Sequence, residues 1–348
     1  MSWSIVIGNG FTIDAYKHCK IKESPNHPWN WKIKNPYNSN QDLLDVMPSL
    51  KAHLESQGEL SDLEVYGALQ DVVHETQSRS PYRPGEKETE QDRIHAEACH
   101  YLRLAYVWYT DLFKPDKLYD WAWRKWFSRY GHEIETILSL NYDLILETVM
   151  RSTYLGKVYG SSRKNPPFGK GFTPMSDDPY SDEKKGDKKV IHIAKPHGSC
   201  NFTSWAVTYT ADEHGARPLY PLNMLAVRSS PLKILTEKNV YQAVSVADLV
   251  LPGEWSCWGE NALTTVTWAN EQKQHFIDES KSADKLLVVG FGYSEPDCPE
   301  FDNILARLNK FQEVHIVNPS PSDELIAALK PFSKENFFIW DSPLPLIT

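Results

Sequence analysis

Ser139-Leu140-Asn141-Tyr142-Asp143 follows an apolar run containing Ile134, Ile137 and Leu138, and Lys195-Pro196-His197-Gly198-Ser199 follows Val190, Ile191 and Ile193. Apolar runs this short, bounded by polar residues, read as buried strands of a parallel sheet. In open α/β sheets the ligand site lies at the carboxyl ends of the strands. One amide and one imidazole are thus delivered to the same edge of a sheet. An Asn and a His, with no nucleophilic Ser or Cys between them, are suited to orienting and activating an oxygen nucleophile.

The same pattern of strand followed by small or polar residues recurs along the chain. A strand over Trp3 to Ile7 runs into Gly8-Asn9-Gly10-Phe11, and Thr12-Ile13-Asp14-Ala15-Tyr16 begins a helix. Glycines in such a turn let backbone N–H groups approach a phosphate at the helix N-terminus. A Gly-x-Gly turn also serves simply to make a tight connection, and the motif alone leaves both readings open. Leu286 to Val289 precedes Gly290-Phe291-Gly292-Tyr293-Ser294, Val314 to Val317 precedes Asn318-Pro319, and Phe337 to Trp340 forms a last strand. No internal repeat is present.

Between the first strand and the next, from about Gln41 to Tyr130, the periodicity turns helical. Leu63, Tyr66, Leu69, Val72 and Val73 follow a Ser61…Glu64 capping box. Leu102, Ala105, Tyr106, Tyr109 and Leu112 make a second apolar stripe, and Trp121, Trp123, Trp126 and Phe127 crowd a third helix. The expected architecture is therefore α/β, a Rossmann-like parallel sheet with an inserted helical subdomain over about 41–130. Residues 161–189, rich in Pro, Gly, Ser, Asp and Lys, read as a long loop, either a lid or a disordered segment. From Phe202 to Leu251 the signal is mixed, with a hairpin and a helix expected.

Composition bounds the partners. The 348 residues are 41% hydrophobic and 12% aromatic, enough for a substantial core. A net charge of −9 argues against a phosphate-binding nucleic-acid face, which needs clustered Lys and Arg. Ile5-Val6-Ile7 is too short for a signal-peptide core and lacks a basic leader. No apolar stretch approaches the roughly 18 residues of a membrane span. A cytoplasmic protein is expected. Cys19, Cys99, Cys200, Cys257 and Cys298 form no C-x-x-C pair, and His95 and His100 do not share a helical face, so no metal site is expected.

Five strand ends carry the chemistry. Two glycine turns meet the needs of a dinucleotide, one for its phosphates and one for its adenosine half. Asn141 offers donor and acceptor to a ribose hydroxyl or a water. His197, with an ordinary imidazole pKa near 6.5, suits a base at neutral pH. Asp143 serves either to orient the Asn–ribose contact or to cap a helix. Asn318 is placed to meet a ribose or an adenine.

Together these motifs resemble the sirtuin-like proteins of bacterial antiphage defence. The matching pieces are Gly8-Asn9-Gly10-Phe11, Leu140-Asn141-Tyr142-Asp143, Lys195-Pro196-His197-Gly198-Ser199, Val250-Leu251-Pro252 with Trp268, and Val288 to Ser294 with Asp297. The resemblance implies a fold that binds NAD, with Asn141 holding the nicotinamide ribose and the attacking water and His197 acting as general base. It further implies that Gly8, Asn9, Gly10 and Phe11 form the phosphate-side turn, that Gly290, Gly292, Ser294 and Asn318 face the adenosine half, and that Asp14 and Asp143 belong to the cofactor-binding set. Deacylating sirtuins carry a zinc ribbon of two C-x-x-C pairs and usually an Ala between the first glycines. This chain has neither, and carries Asn9 and the helical block instead.

That combination is similar to the NAD-hydrolysing branch. The implied activity is NAD+ hydrolysis to nicotinamide and ADP-ribose, with NAD as substrate and no metal, in defence by NAD depletion. The alternatives are a zinc-free NAD-dependent protein deacylase and a non-catalytic NAD or ADP-ribose sensor. The resemblance also implies a homo-oligomer with a HerA-type translocase ATPase as partner. Trp29, Trp31 and the Trp121 to Phe127 cluster offer aromatic surface for such an assembly, or equally for a core. Neither Asn141 nor His197 is expected to be core, so their removal is expected to leave the melting temperature nearly unchanged.

Overall fold

Every residue of Trp3–Ile7, which forms β1, is buried, as a strand covered on both faces requires. The computed structural model describes residues 1–25, 28–35, 38–58, 90–113, 116–153, 158–159, 191–204, 209–212, 215–218, 232–234, 247–249, 267–293 and 298–347. After β1 come α1 (Asn9–Cys19), the short antiparallel pair β2 (Lys34–Asn35) and β3 (Asn38–Asp42), and the helices α2 (Pro48–Gln57), α3 (Glu90–Asp111) and α4 (Ala122–Tyr130). The sheet resumes with β4 (Ile134–Ser139), α5 (Ile145–Ser152), β5 (Val158–Tyr159) and β6 (Ile191–Ala194). Then follow β7 (Gly198–Ser204), β8 (Tyr209–Asp212), β9 (Gly215–Pro218), β10 (Leu232–Ile234) and β11 (Ala247–Leu249). The last units are α6 (Thr267–Ser280), β12 (Lys285–Val289), α7 (Cys298–Leu305), β13 (Phe311–Val317), α8 (Asp323–Leu329) and β14 (Ser333–Trp340).

Seven strands make one sheet in the order β14-β13-β12-β1-β4-β6-β5, with all neighbours parallel. The chain winds from β1 outward through β4 and β6, then crosses back to lay β12, β13 and β14 on the other side of β1. This is a doubly wound, Rossmann-like α/β fold. Alternation along each strand feeds two cores. Ile5, Ile7, Leu287 and Val289 face a layer that includes α1, α3, α4 and α5. Val6, Leu138, Leu286 and Val288 face α6, α7 and α8 through Phe276, Phe301, Ile304 and Leu325.

The helical block is part of that first layer. Leu102, Ala105, Tyr106 and Tyr109 of α3 lie in the same buried cluster as Ile5 and Ile137. The stripe from Leu63 to Val73 lies outside the described residues, as does the 161–189 segment. A three-stranded antiparallel sheet, β10-β7-β11, packs on α3 through β7 and β11. β8 and β9 form a separate antiparallel pair. The helix expected between Phe202 and Leu251 does not occur among the described residues there.

The tryptophans are core. Trp121, Trp123 and Trp126 are at most 2% exposed; the Phe11 ring centroid lies 4.9 Å from that of Trp121 and 5.7 Å from that of Trp123, and Trp126 packs edge-on against Trp123. Trp29 stacks on Tyr101 and Trp31 on Tyr109, pinning the segment after α1 against α3. Aromatic side chains buried this deeply contribute about 3–5 kcal/mol each against alanine. They leave no aromatic surface at these positions for a partner.

The turns after β1 and β12 touch backbone to backbone. Gly8 N–H donates to Val289 O and Gly10 N–H donates to Gly290 O, at 2.9 and 2.8 Å. Gly290 has φ +55, and a Cβ built on it would stand 2.4 Å from Gly10 Cα. Strain from a positive φ and a backbone clash add there. Gly290→Ala is expected to lower the unfolding free energy by about 2–4 kcal/mol, whereas Gly292→Ala, with open space around it, should cost little. Urea denaturation of the two variants compares them directly.

Candidate functional site

Because β13, β12, β1, β4 and β6 are consecutive in the sheet and parallel, their carboxyl ends form one continuous edge. Asn318, Gly290, Gly8, Asn141 and His197 follow those strands in that order across the edge. The change of winding direction falls between β1 and β12, where a doubly wound sheet opens its ligand crevice.

Asn141 is 8% exposed. Its Nδ2 donates to Gly8 O and to Thr12 Oγ1, each at 3.1 Å. Gly8 O can only accept, which fixes the amide orientation. With both amide hydrogens donated, Oδ1 remains as the acceptor, and it makes no hydrogen bond among the described residues. Thr12 Oγ1 in turn donates to Asp143 Oδ2 at 2.6 Å, and Asp143 Oδ1 accepts from Ile145 N–H at 2.9 Å. Asp143 therefore caps the start of α5 and ties it to α1.

Beneath this pair lies Lys195, fully buried. Its Nζ donates to Asp143 O, Glu147 Oε1 and Ser199 Oγ at 2.6, 2.9 and 3.0 Å, so all three ammonium hydrogens are placed. Burial pushes the Asp143 and Glu147 carboxyls upward, and the Lys195 charge opposes it. Glu147 Oε2 is buried with no hydrogen-bond partner among the described residues, which disfavours the charged form further.

His197 is 6% exposed and stands next to Glu300 of α7, Nε2 to Oε2 at 2.6 Å. Lys273 of α6 approaches the other carboxylate oxygen, Nζ to Oε1 at 3.2 Å. Burial by itself would raise the Glu300 carboxyl, but the charges and hydrogen bonds of His197 and Lys273 outweigh it and hold it down at about 2. Burial pushes the Lys273 ammonium down to about 8, against the pull of Glu300.

The remaining expected residues scatter in role. Gly8 is buried and Gly10 half-buried, and both amides, with that of Phe11, make backbone hydrogen bonds. Phe11 is core. Asn9 and Gly292 are exposed. Asp14 accepts from Trp121 Nε1 at 3.0 Å, which turns its carboxylate toward α4. Asn318 is satisfied at both ends, Nδ2 donating to Phe291 O and Oδ1 accepting from Ser320 N–H. Ser294, Asp297 and the 250–252 stretch lie outside the described residues. The expectation that Asn141 and His197 are dispensable for stability is corrected: both are buried and hydrogen-bonded, so removing either leaves partners unsatisfied.

Glu300, Lys273 and Glu147 were not picked out by the motifs. A signal existed for the first two. Lys273 falls three and four positions before the buried Phe276 and Ile277, and Glu300 four before the buried Ile304. Each is a charge on the apolar face of its helix. Among the described residues no group of three or more His, Cys, Asp or Glu side chains is placed to hold a metal ion, and no helix is long and apolar enough to cross a membrane. Neither a protein-family model nor a curated protein matches the chain.

The lowered Glu300 carboxyl makes stability depend on pH. The unfolded chain protonates Glu300 near 4.5, the folded chain only near 2, so acidification across that window favours unfolding. Glu300→Gln removes this dependence. The stability gap between wild type and Glu300→Gln should therefore narrow as pH falls from 4.5 toward 2, which urea unfolding at a series of pH values measures. The raised Asp143 and Glu147 carboxyls act in the opposite sense and are common to both proteins.

Proposed function

We propose that the chain is an NAD+ hydrolase that cleaves the nicotinamide–ribose bond. The observation that carries the reading is that Asn141 and His197 follow the carboxyl ends of the adjacent parallel strands β4 and β6, beside the switch point of a doubly wound sheet. The first has its carbonyl oxygen left over as an acceptor, and the second is braced by a buried carboxylate. The family resemblance of the motifs supports the same assignment. Asn141 Oδ1 would accept from a ribose hydroxyl or from the attacking water, and His197 would take the proton of that water. NAD+ and water give nicotinamide, ADP-ribose and a proton, so no further reactant is required. Holding the ribose and aiming a water are tasks of position and electrostatics, which buried, hydrogen-bonded side chains perform without reorganising. Gly8, Gly10 and Gly290 would contribute a backbone surface that approaches the dinucleotide closely, while the Gly8 and Gly10 amides hold the two turns together.

A cytoplasmic, homo-oligomeric protein working with a HerA-type translocase ATPase, and depleting NAD in antiphage defence, completes the proposal. That part rests on the resemblance alone.

Asn141→Ala and His197→Ala are each expected to reduce kcat at least 100-fold per folded molecule, and to lower the unfolding free energy by about 1–3 kcal/mol. Nicotinamide release from NAD+ by the purified chain, with and without an acetyl-lysine peptide, is the measurement. Release that requires the peptide would replace hydrolysis by deacylation. Undiminished release in either variant would remove the assigned roles.

A further inference from the structure

The pair formed by His197 and Glu300 has a chemistry that the hydrolase reading alone does not use. We infer that Glu300 is a positioning residue for His197, holding the imidazole in one orientation and in the form that carries its proton on Nε2, so that Nδ1 is the basic nitrogen. This rests on the reading of His197 as the base and extends it to the group behind the base.

The contact is 2.6 Å between side chains only 8% and 5% exposed, within the range of charge-assisted hydrogen bonds. The carboxylate is ionised, because Lys273 Nζ stands 3.2 Å from its second oxygen. An ionised carboxylate only accepts, so Nε2 must be the donor, and in the neutral ring Nδ1 is then the acceptor. Groups that face the ring from its neighbours include Glu300 from α7, Lys273 behind it from α6, and the Tyr142 ring after β4, whose centroid lies 6.5 Å away. Lys273 keeps Glu300 paired while His197 is neutral, so the buried site never holds a lone anion. In the reaction the water O–H bond breaks toward Nδ1 as oxygen bonds to the ribose carbon. The C–N electron pair leaves on the nicotinamide nitrogen, and the imidazolium is stabilised by a carboxylate already in place. A purely structural tie between the turn after β6 and α7 would fix the same tautomer, so the two roles are separated by what the loss of the carboxylate does to kcat and to the pH profile.

The test is a long-range 15N–1H correlation spectrum of the full-length protein near pH 7.5, with His197 assigned among the 12 histidines by its absence in His197→Gln. The wild type should show the Nε2–H form, and Glu300→Gln should lose it or mix it with the Nδ1–H form. In the NAD+ assay, Glu300→Gln should lower kcat at least tenfold with KM within about threefold. The acid limb of its pH profile should move down by about one unit, because the imidazolium loses its counter-charge. An Nδ1–H form in the wild type would overturn the proposal. So would a Glu300→Gln protein with the wild-type tautomer and an unchanged kcat. If the tautomer behaves as expected but no variant, wild type included, releases nicotinamide, the positioning of His197 stands and the hydrolase reading falls.

Discussion

The backbone contact between Gly10 and Gly290 sets the geometry on which the rest of the edge depends. β1 and β12 lie side by side only if the turns that leave them can cross, and a Cβ on either glycine would drive into the other's backbone at about 2.5 Å or less. Two asparagines then clamp the crossing from opposite flanks. Asn141, arriving from β4, donates to Gly8 O, and Asn318, arriving from β13, donates to Phe291 O. They are not equivalent. Asn318 spends both ends of its amide on the protein, whereas Asn141 spends only its hydrogens and keeps an acceptor. Of the two, Asn141 alone has an acceptor left to offer.

Behind the crossing, two small charge clusters are built on one motif, at its first residue Lys195 and its third, His197. Lys195 binds Glu147 and the carbonyl of Asp143, and His197 binds Glu300 with Lys273 behind it. Leaving one of these buried charges without any partner would cost about 3–5 kcal/mol, while replacing a whole cluster by apolar groups is often neutral or better. Against a total stability of about 5–15 kcal/mol, these clusters are therefore hazards that contribute little net stability. Their place beside the switch point gives them a different use, which is to hold side chains at the sheet edge in one arrangement. The Lys195 cluster fixes the turn after β4 against the turn after β6, and the Glu300 cluster fixes the imidazole.

The strands after β1 show how much could be read and where reading stopped. Ile134–Ser139, Lys285–Val289 and Phe311–Val317 are buried over most of their length on both faces, so each appears in the chain as a short, mainly apolar run and is legible locally. Phe11 and Asp14 mark the limit. Both sit in a motif that resembles a phosphate turn, yet Phe11 packs among Trp121, Trp123 and Phe127, and Asp14 accepts from the Trp121 indole. The partners are more than 100 residues away, and nothing near Phe11 or Asp14 announces them.

What the amino-acid order determines by itself is therefore the set of strands, the small residues that follow them, and the parallel α/β class, because apolar period and turn chemistry are local properties of the chain. The tertiary structure alone decides the order β14-β13-β12-β1-β4-β6-β5, and with it which strand ends become neighbours. It also decides that the Gly8 and Gly10 amides bond to Val289 O and Gly290 O, that Asn141 rather than Asn318 keeps an open acceptor, and that His197 meets Glu300. Periodicity states which face of an element is buried. It carries no information about which buried face, contributed from more than 100 residues away, will close over it.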